Sequence, residues 1–146
     1  MIIQINRSAL VSYAAASMFD LVNDIAAYPL YMDGCSGATV ISRSDEEIVA
    51  RLDLSRAGIR HSFTTRNRLT RPSQIDMTLE EGPFRHFAGL WRFQALAEDA
   101  CKVSLHLEFA LNNRLIGRAW GALFASVANN LVSALTRRAD DVLGQP

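Results

Sequence analysis

Acid–base and nucleophilic catalysis need a titratable side chain with a partner at hydrogen-bond range, and a metal site needs several convergent ligands. The side chains able to supply such chemistry are His61, His86, His106, Cys35 and Cys101, together with the carboxylates of the alternating segments. The histidines do not cluster. By alternation, His61 falls on the inward face of its segment, whereas His86 and His106 fall outward. Asp53, Asp76, Glu80 and Glu108 also fall outward, so no pair of carboxylates is expected inside. Cys35 and Cys101 have neither a CxxC partner nor a nearby histidine and read as packing residues. No catalytic residue, no metal ligand and no cofactor are expected, and the chain does not read as an enzyme. His61, the one inward titratable group, is expected to be a satisfied interior histidine.

The elements that must position these residues are ordered around the stretch from Asn112 to Leu143, the longest unbroken helical pattern. At about 100° per residue, Ile116, Trp120, Leu123, Phe124, Val127, Leu131, Ala134, Leu135 and Val142 share one side. Arg118, Ala122, Ser126, Asn129, Ser133, Thr136 and Asp140 share the other. This apolar arc is wider than the roughly 100° stripe of an ordinary surface helix and calls for a concave partner. Asn112 or Asn113 can cap the start, and Gly144 and Pro146 follow the end. Arg137 and Arg138 are expected to oppose the negative end of the helix dipole.

Met1 to Val11 reads as a first strand, and Ser12 to Asn23 as a short amphipathic helix capped by Ser12. A helical turn follows from Asp24 to Tyr31, with Tyr28 and Tyr31 projecting together. Met32 to Gly37 reads as a loop. From Ala38 the period becomes two, and six strands follow, joined by short turns. An antiparallel sheet with one wet and one dry face results. With seven strands and strong twist it curls, and the last helix covers its dry face. The fold class is α+β.

The 146 residues suit one domain spanning 1–146. No apolar run approaches the ~20 residues of a bilayer span, and the N-terminus lacks a signal-peptide pattern, so a cytoplasmic protein is expected. The net charge is zero and 14 of the 15 basic residues are arginine; the footprint of a DNA-binding protein is missing. Arg60, Arg66 and Arg68, with Arg71 nearby, form an outward row that could grip phosphates. Asp76 and Glu80 on the next strand are expected to neutralise them instead.

Ser8 to Val11, Leu21 to Tyr28 with Pro29, Gly34 with Cys35, Ala57 with Gly58, Phe63 to Asn67, Glu81 to Phe84, and Arg137 to Ala139 fall in the order and spacing of one family. The strings TTRN and EGPF are the most specific. The chain resembles the polyketide cyclase/START-like family, which includes ribosome-association toxins and coenzyme Q-binding START-domain proteins. Where relatives carry Phe, Leu or Pro before the Gly-Cys pair, this chain has Tyr31, Met32 and Asp33, which implies a more polar lid. The resemblance implies a helix-grip fold, in which a curved antiparallel sheet surrounds the C-terminal helix and encloses an apolar cavity.

It also implies two roles. One is binding of ubiquinone or a related polyprenyl quinone in support of respiration, with transient contact at the inner membrane. The other is binding of the large ribosomal subunit to block subunit association. A third, aromatic polyketide cyclisation, would need polar groups lining the pocket. The balanced charge and facing carboxylates favour the quinone over the ribosome. The ligand-binding residues expected are Tyr28, Tyr31, Phe63, Met77, Leu79, Phe87, Trp91, Leu105, Phe109, Trp120, Leu123 and Val127. The cavity mouth is expected near the Tyr28 to Cys35 loop and the Glu81 to Phe84 turn, with a volume of about 300 to 1,000 Å³. Gly89 and the small residues Gly117, Ala119, Gly121, Ala122, Ala125 and Ala128 either leave that volume open or let helix and sheet approach closely.

Overall fold

The computed structural model describes residues 2–112 and 118–144. Strand β1 (Ile3–Val11) is followed by helix α1 (Ala15–Asn23), a 3-10 turn at Ile25–Ala27 and the single-turn helix α2 (Tyr28–Tyr31). Six strands come next: β2 (Cys35–Arg43), β3 (Glu47–Arg56), β4 (Ile59–Thr70), β5 (Gln74–Glu81), β6 (Phe84–Ala97) and β7 (Ala100–Leu111). Helix α3 (Arg118–Leu143) closes the chain. The seven strands form one antiparallel sheet in the order β1-β7-β6-β5-β4-β3-β2. Each consecutive pair from β2 to β7 is a hairpin, which is why short turns and strict alternation suffice to build it. Strand β1 then pairs with β7, so the first and last strands are neighbours.

One face of the sheet is dry. Leu54, Phe63, Ile75, Trp91, Phe93, Val103, Leu105, Leu107 and Phe109 are buried there, and α3 covers them with Trp120, Leu123, Phe124, Ala128, Val132 and Leu135. Burial follows the period-two pattern along β4, where Phe63, Thr65, Asn67 and Leu69 point inward and Arg66 and Arg68 outward. Helix α1 completes the core with Met18, Phe19 and Val22; Phe19 meets Phe93 edge-on at 5.6 Å.

Several local expectations change. Helix α1 starts at Ala15, and Ala14 at its N-cap makes no side-chain cap, so Ser12 does not serve. The loop after α2 is shorter than expected, because Cys35, Ser36 and Gly37 already belong to β2. On α3 the buried stripe runs through Ala128, Val132 and Ala139, and Val142 is 45% exposed. The end of the helix therefore projects past the sheet. Ile116 and Asn113 lie outside the described residues, and Asn112, for its part, donates its backbone N–H to the Pro83 carbonyl at 2.7 Å. Arg137 and Arg138 sit more than a turn before the helix end, where no basic residue occurs. Arg138 lies instead over the Tyr31 ring, 5.4 Å from its centroid.

Gly34 needs to be glycine. Its φ of +94° lies in the left-handed region, and a Cβ there would stand 2.8 Å from Val127 Cγ2 and 3.2 Å from Leu123 Cδ1. The chain thereby passes α3 closely enough to bring Met32 and Cys35 under the helix.

Candidate functional site: the cavity and the outer sheet face

Between α3 and the dry face lies an apolar cavity of about 80 Å³. Its wall is built from every layer of the fold. Val22, Ile25, Tyr28, Met32 and Cys35 come from the N-terminal helical segment and the start of β2, and Ala50, Leu52, Leu54, Phe63, Thr65 and Asn67 from β3 and β4. Ile75, Met77, Phe87, Trp91, Leu105 and Leu107 come from β5 to β7, and Phe124, Val127, Ala128 and Leu131 from α3. The free space is about half of the roughly 150 Å³ void that takes up benzene in an engineered protein core. It falls below the expected range, so a larger guest must displace side chains. Met32 and Met77, unbranched and adaptable, are the ones suited to move.

Of the residues expected to bind ligand, Tyr28, Phe63, Met77, Phe87, Trp91, Leu105 and Val127 line this cavity. Tyr31, Leu79, Phe109, Trp120 and Leu123 do not. The reason is an aromatic plug that abuts the cavity and shares Phe63 and Phe124 with its wall. Phe124 contacts the rings of Phe109 at 4.7 Å, Phe84 at 5.0 Å, Phe63 at 5.5 Å and Trp120 at 5.6 Å. Phe109 and Trp120 are consumed in this plug. Leu123 packs near Gly34, Leu79 lies beside Gly82, and Tyr31 meets Tyr28 edge-on at 5.9 Å beneath Arg138. Consequently the Tyr28–Cys35 segment borders the cavity, while no residue of the Glu81 to Phe84 turn does.

Of the small residues, Gly89 and Gly121 resolve toward close approach, Ala128 borders the cavity, and Gly117 lies outside the described residues. A Cβ on Gly89 would fall on Met77 Cε, and one on Gly121 on Leu111 Cδ1. Neighbouring side chains fill the space those glycines leave. The cavity lies instead opposite Val127, Ala128 and Leu131.

Alternation overlooked Asn67, which shares its inward parity with Thr65 and Leu69 and could have been found by counting through TTRN. It also missed Met32 and Cys35. Burial pushes the Cys35 thiol above its ordinary pKa against a smaller lowering by the Gly37 backbone, and Sγ also donates to the Gly37 carbonyl at 3.4 Å. Burial likewise raises the Tyr28 phenol well above its ordinary value, and its hydroxyl donates to the Val22 carbonyl. Both groups stay neutral at physiological pH. His61 is corrected more strongly: it is exposed at the rim, edge-on to Trp120 at 5.8 Å, and is not an interior histidine. Among the described residues no three His, Cys, Asp or Glu side chains converge to hold a metal.

The outer face carries the arginines. Arg66 is held between Glu47 and Glu80, and these carboxylates raise its already high pKa, the Glu80 hydrogen bond foremost. Arg71 pairs with Asp20 at 3.0 Å and covers the Phe19 ring. Asp76 takes the Gln74 amide at 2.9 Å instead of an arginine. Among the described residues, Arg60, Arg68, Arg92 and Lys102 have no carboxylate within 4.0 Å. Neutralisation is therefore complete at Arg66 and absent at Arg68.

Asp53, between Arg51 and Ser62 on the same face, has a testable pH signature. The Ser62 hydroxyl, then Arg51 at 2.9 Å, hold its carboxyl below the usual range. A carboxyl with a depressed folded-state pKa contributes stability above its unfolded value of about 4, and that contribution disappears as pH falls through the folded value. Asp53→Asn is expected to unfold at lower urea concentration than the parent at pH 6, with the gap narrowing below about pH 4.

Comparisons with known proteins agree with this architecture. Residues 11–136 match the family model described as polyketide cyclase / dehydrase and lipid transport. The ribosome association toxin RatA of Vibrio cholerae is 48% identical, over 97% of this chain and 99% of the relative. A mitochondrial coenzyme Q-binding protein, COQ10 homolog B of Xenopus laevis, is 20% identical over 98% of this chain and 60% of the relative. The crystal structure of the Zhui aromatase/cyclase from a Streptomyces species superposes with a TM-score of 0.79 at 15% identity, covering 96% of this chain and 94% of that one. That last likeness concerns the fold. The helix-grip architecture, the matched family model and the near full-length similarity to RatA together mean that this chain belongs to the polyketide cyclase/dehydrase and lipid transport family, START-like in fold.

Proposed function

We propose that this protein associates with the large ribosomal subunit and hinders its joining to the small one. The observation that carries the reading is 48% identity to a ribosome association toxin over nearly the full length of both chains. This reverses the preference for a quinone drawn from charge balance alone. Net charge is a poor guide here because charges pair locally. Arg66 is neutralised twice, whereas Arg60, Arg68, Arg92 and Lys102 keep free guanidinium and ammonium groups on the outer face among the described residues. Such groups suit phosphate contacts, which position a protein on nucleic acid without reading sequence. Purified subunits mixed with this protein in molar excess, then raised in Mg²⁺, should form fewer joined ribosomes by light scattering. Undiminished joining would refute the proposal.

A second reading is favoured by the cavity. Its apolar wall and the distant similarity to a coenzyme Q-binding protein support carriage of an apolar ligand. The two readings use opposite faces of the sheet and do not compete for residues.

A further inference from the structure

The cavity wall has one place where apolar packing gives way to unmet polarity. Asn67 is 7% exposed and Thr65 8%. Both line the cavity, and Thr65 Oγ1 donates to Asn67 Oδ1 at 2.9 Å. This bond occupies the Asn67 carbonyl oxygen. The two amide N–H donors of Asn67 find no acceptor among the described residues. These donors are not sealed off among side chains, and a donor in an apolar wall gains by meeting an acceptor. Around this amide the wall is hydrocarbon, with Ala50, Ile75, Met77, Trp91 and Leu105 among its members. No lining residue carries a charge, so an anionic guest would be buried without a counter-ion.

We propose that the cavity selects an apolar molecule carrying an uncharged acceptor oxygen, of ketone or ether type, and that the Asn67 amide is the group that binds that oxygen. Thr65 is a positioning residue: by donating to Oδ1 it turns the amide so that its N–H groups face the guest. A hydrocarbon of the same shape leaves both donors unmet and binds less well. The inference rests on the second reading above, that the cavity carries a ligand, and is independent of ribosome association.

Acetophenone and ethylbenzene form a test pair of similar shape that differs in the carbonyl. Titrating the full chain with each, and following Met77 and Leu105 methyl resonances by NMR, gives both affinities. Acetophenone is expected to bind about tenfold more tightly, the difference one buried hydrogen bond makes. Asn67→Leu should erase or invert the preference, and Thr65→Val should reduce it while retaining binding. Equal affinities in the parent protein overturn the assignment without needing any variant to fold, and a preference that survives in Asn67→Leu overturns it too. If neither compound binds at its solubility limit, the ligand-carrier reading fails and this inference falls with it.

Discussion

Phe124→Ala is expected to lower the unfolding free energy by about 3–5 kcal/mol, the usual range for deleting a buried aromatic ring. Phe124 is 4% exposed and is the residue through which α3 reaches the plug, touching the rings of Phe63, Phe84, Phe87, Phe109 and Trp120. Edge-to-face geometry adds about 0.5–1.5 kcal/mol per aromatic pair beyond area burial, so several contacts are lost at once. The void cannot collapse readily, because Phe84 and Phe109 are fixed on strands and Phe63 is pinned beside Gly82. Urea denaturation of both proteins measures the loss. A change below about 1 kcal/mol, the size of a tolerated volume-conserving swap, would mean that the plug does not hold helix to sheet.

Leu105→Trp acts on the cavity side of the same interface. Leu105 is 2% exposed on β7 and lines the cavity. A tryptophan there must occupy the roughly 80 Å³ of free space and press on its surroundings, with overpacking costing about 1–3 kcal/mol. Uptake of small apolar compounds should be lost, while the outer face and any ribosome association stay as they were. A thermal melt establishes folding, and the same NMR titration reports the cavity. Uptake that persists in the folded variant would place the ligand somewhere else.

Much of this architecture could be read from the chain. Alternation along β4 assigned Phe63, Thr65 and Leu69 inward and Arg66 and Arg68 outward, as the structure has them. It did so because a half-buried strand exposes its pattern residue by residue. The wide arc of the last helix likewise announced a concave partner. The division of the interior into plug and cavity was hidden. Periodicity tells which face a side chain takes but not how far along the interface it sits, so Phe109 and Trp120 were grouped with Trp91 and Leu105. Gly89 left open volume and close approach undecided, because sequence does not show that Met77 reaches across to fill it. His61 has inward parity, yet it lies near the β3–β4 turn, edge-on to Trp120, and is exposed. Charge pairing was half visible: Glu80 meets Arg66 as expected, and Glu47 joins from the opposite neighbour strand. Asp76, directly across from Arg68, turns to Gln74.

Ribosome association is tested most directly by sedimenting the purified protein with isolated large and small ribosomal subunits through sucrose gradients at increasing salt. The protein is predicted to travel with the large subunit at low salt and to be released as salt rises, since contacts to phosphate displace condensed counterions. Protein that stays at the top of the gradient with both subunits at low salt would contradict the account.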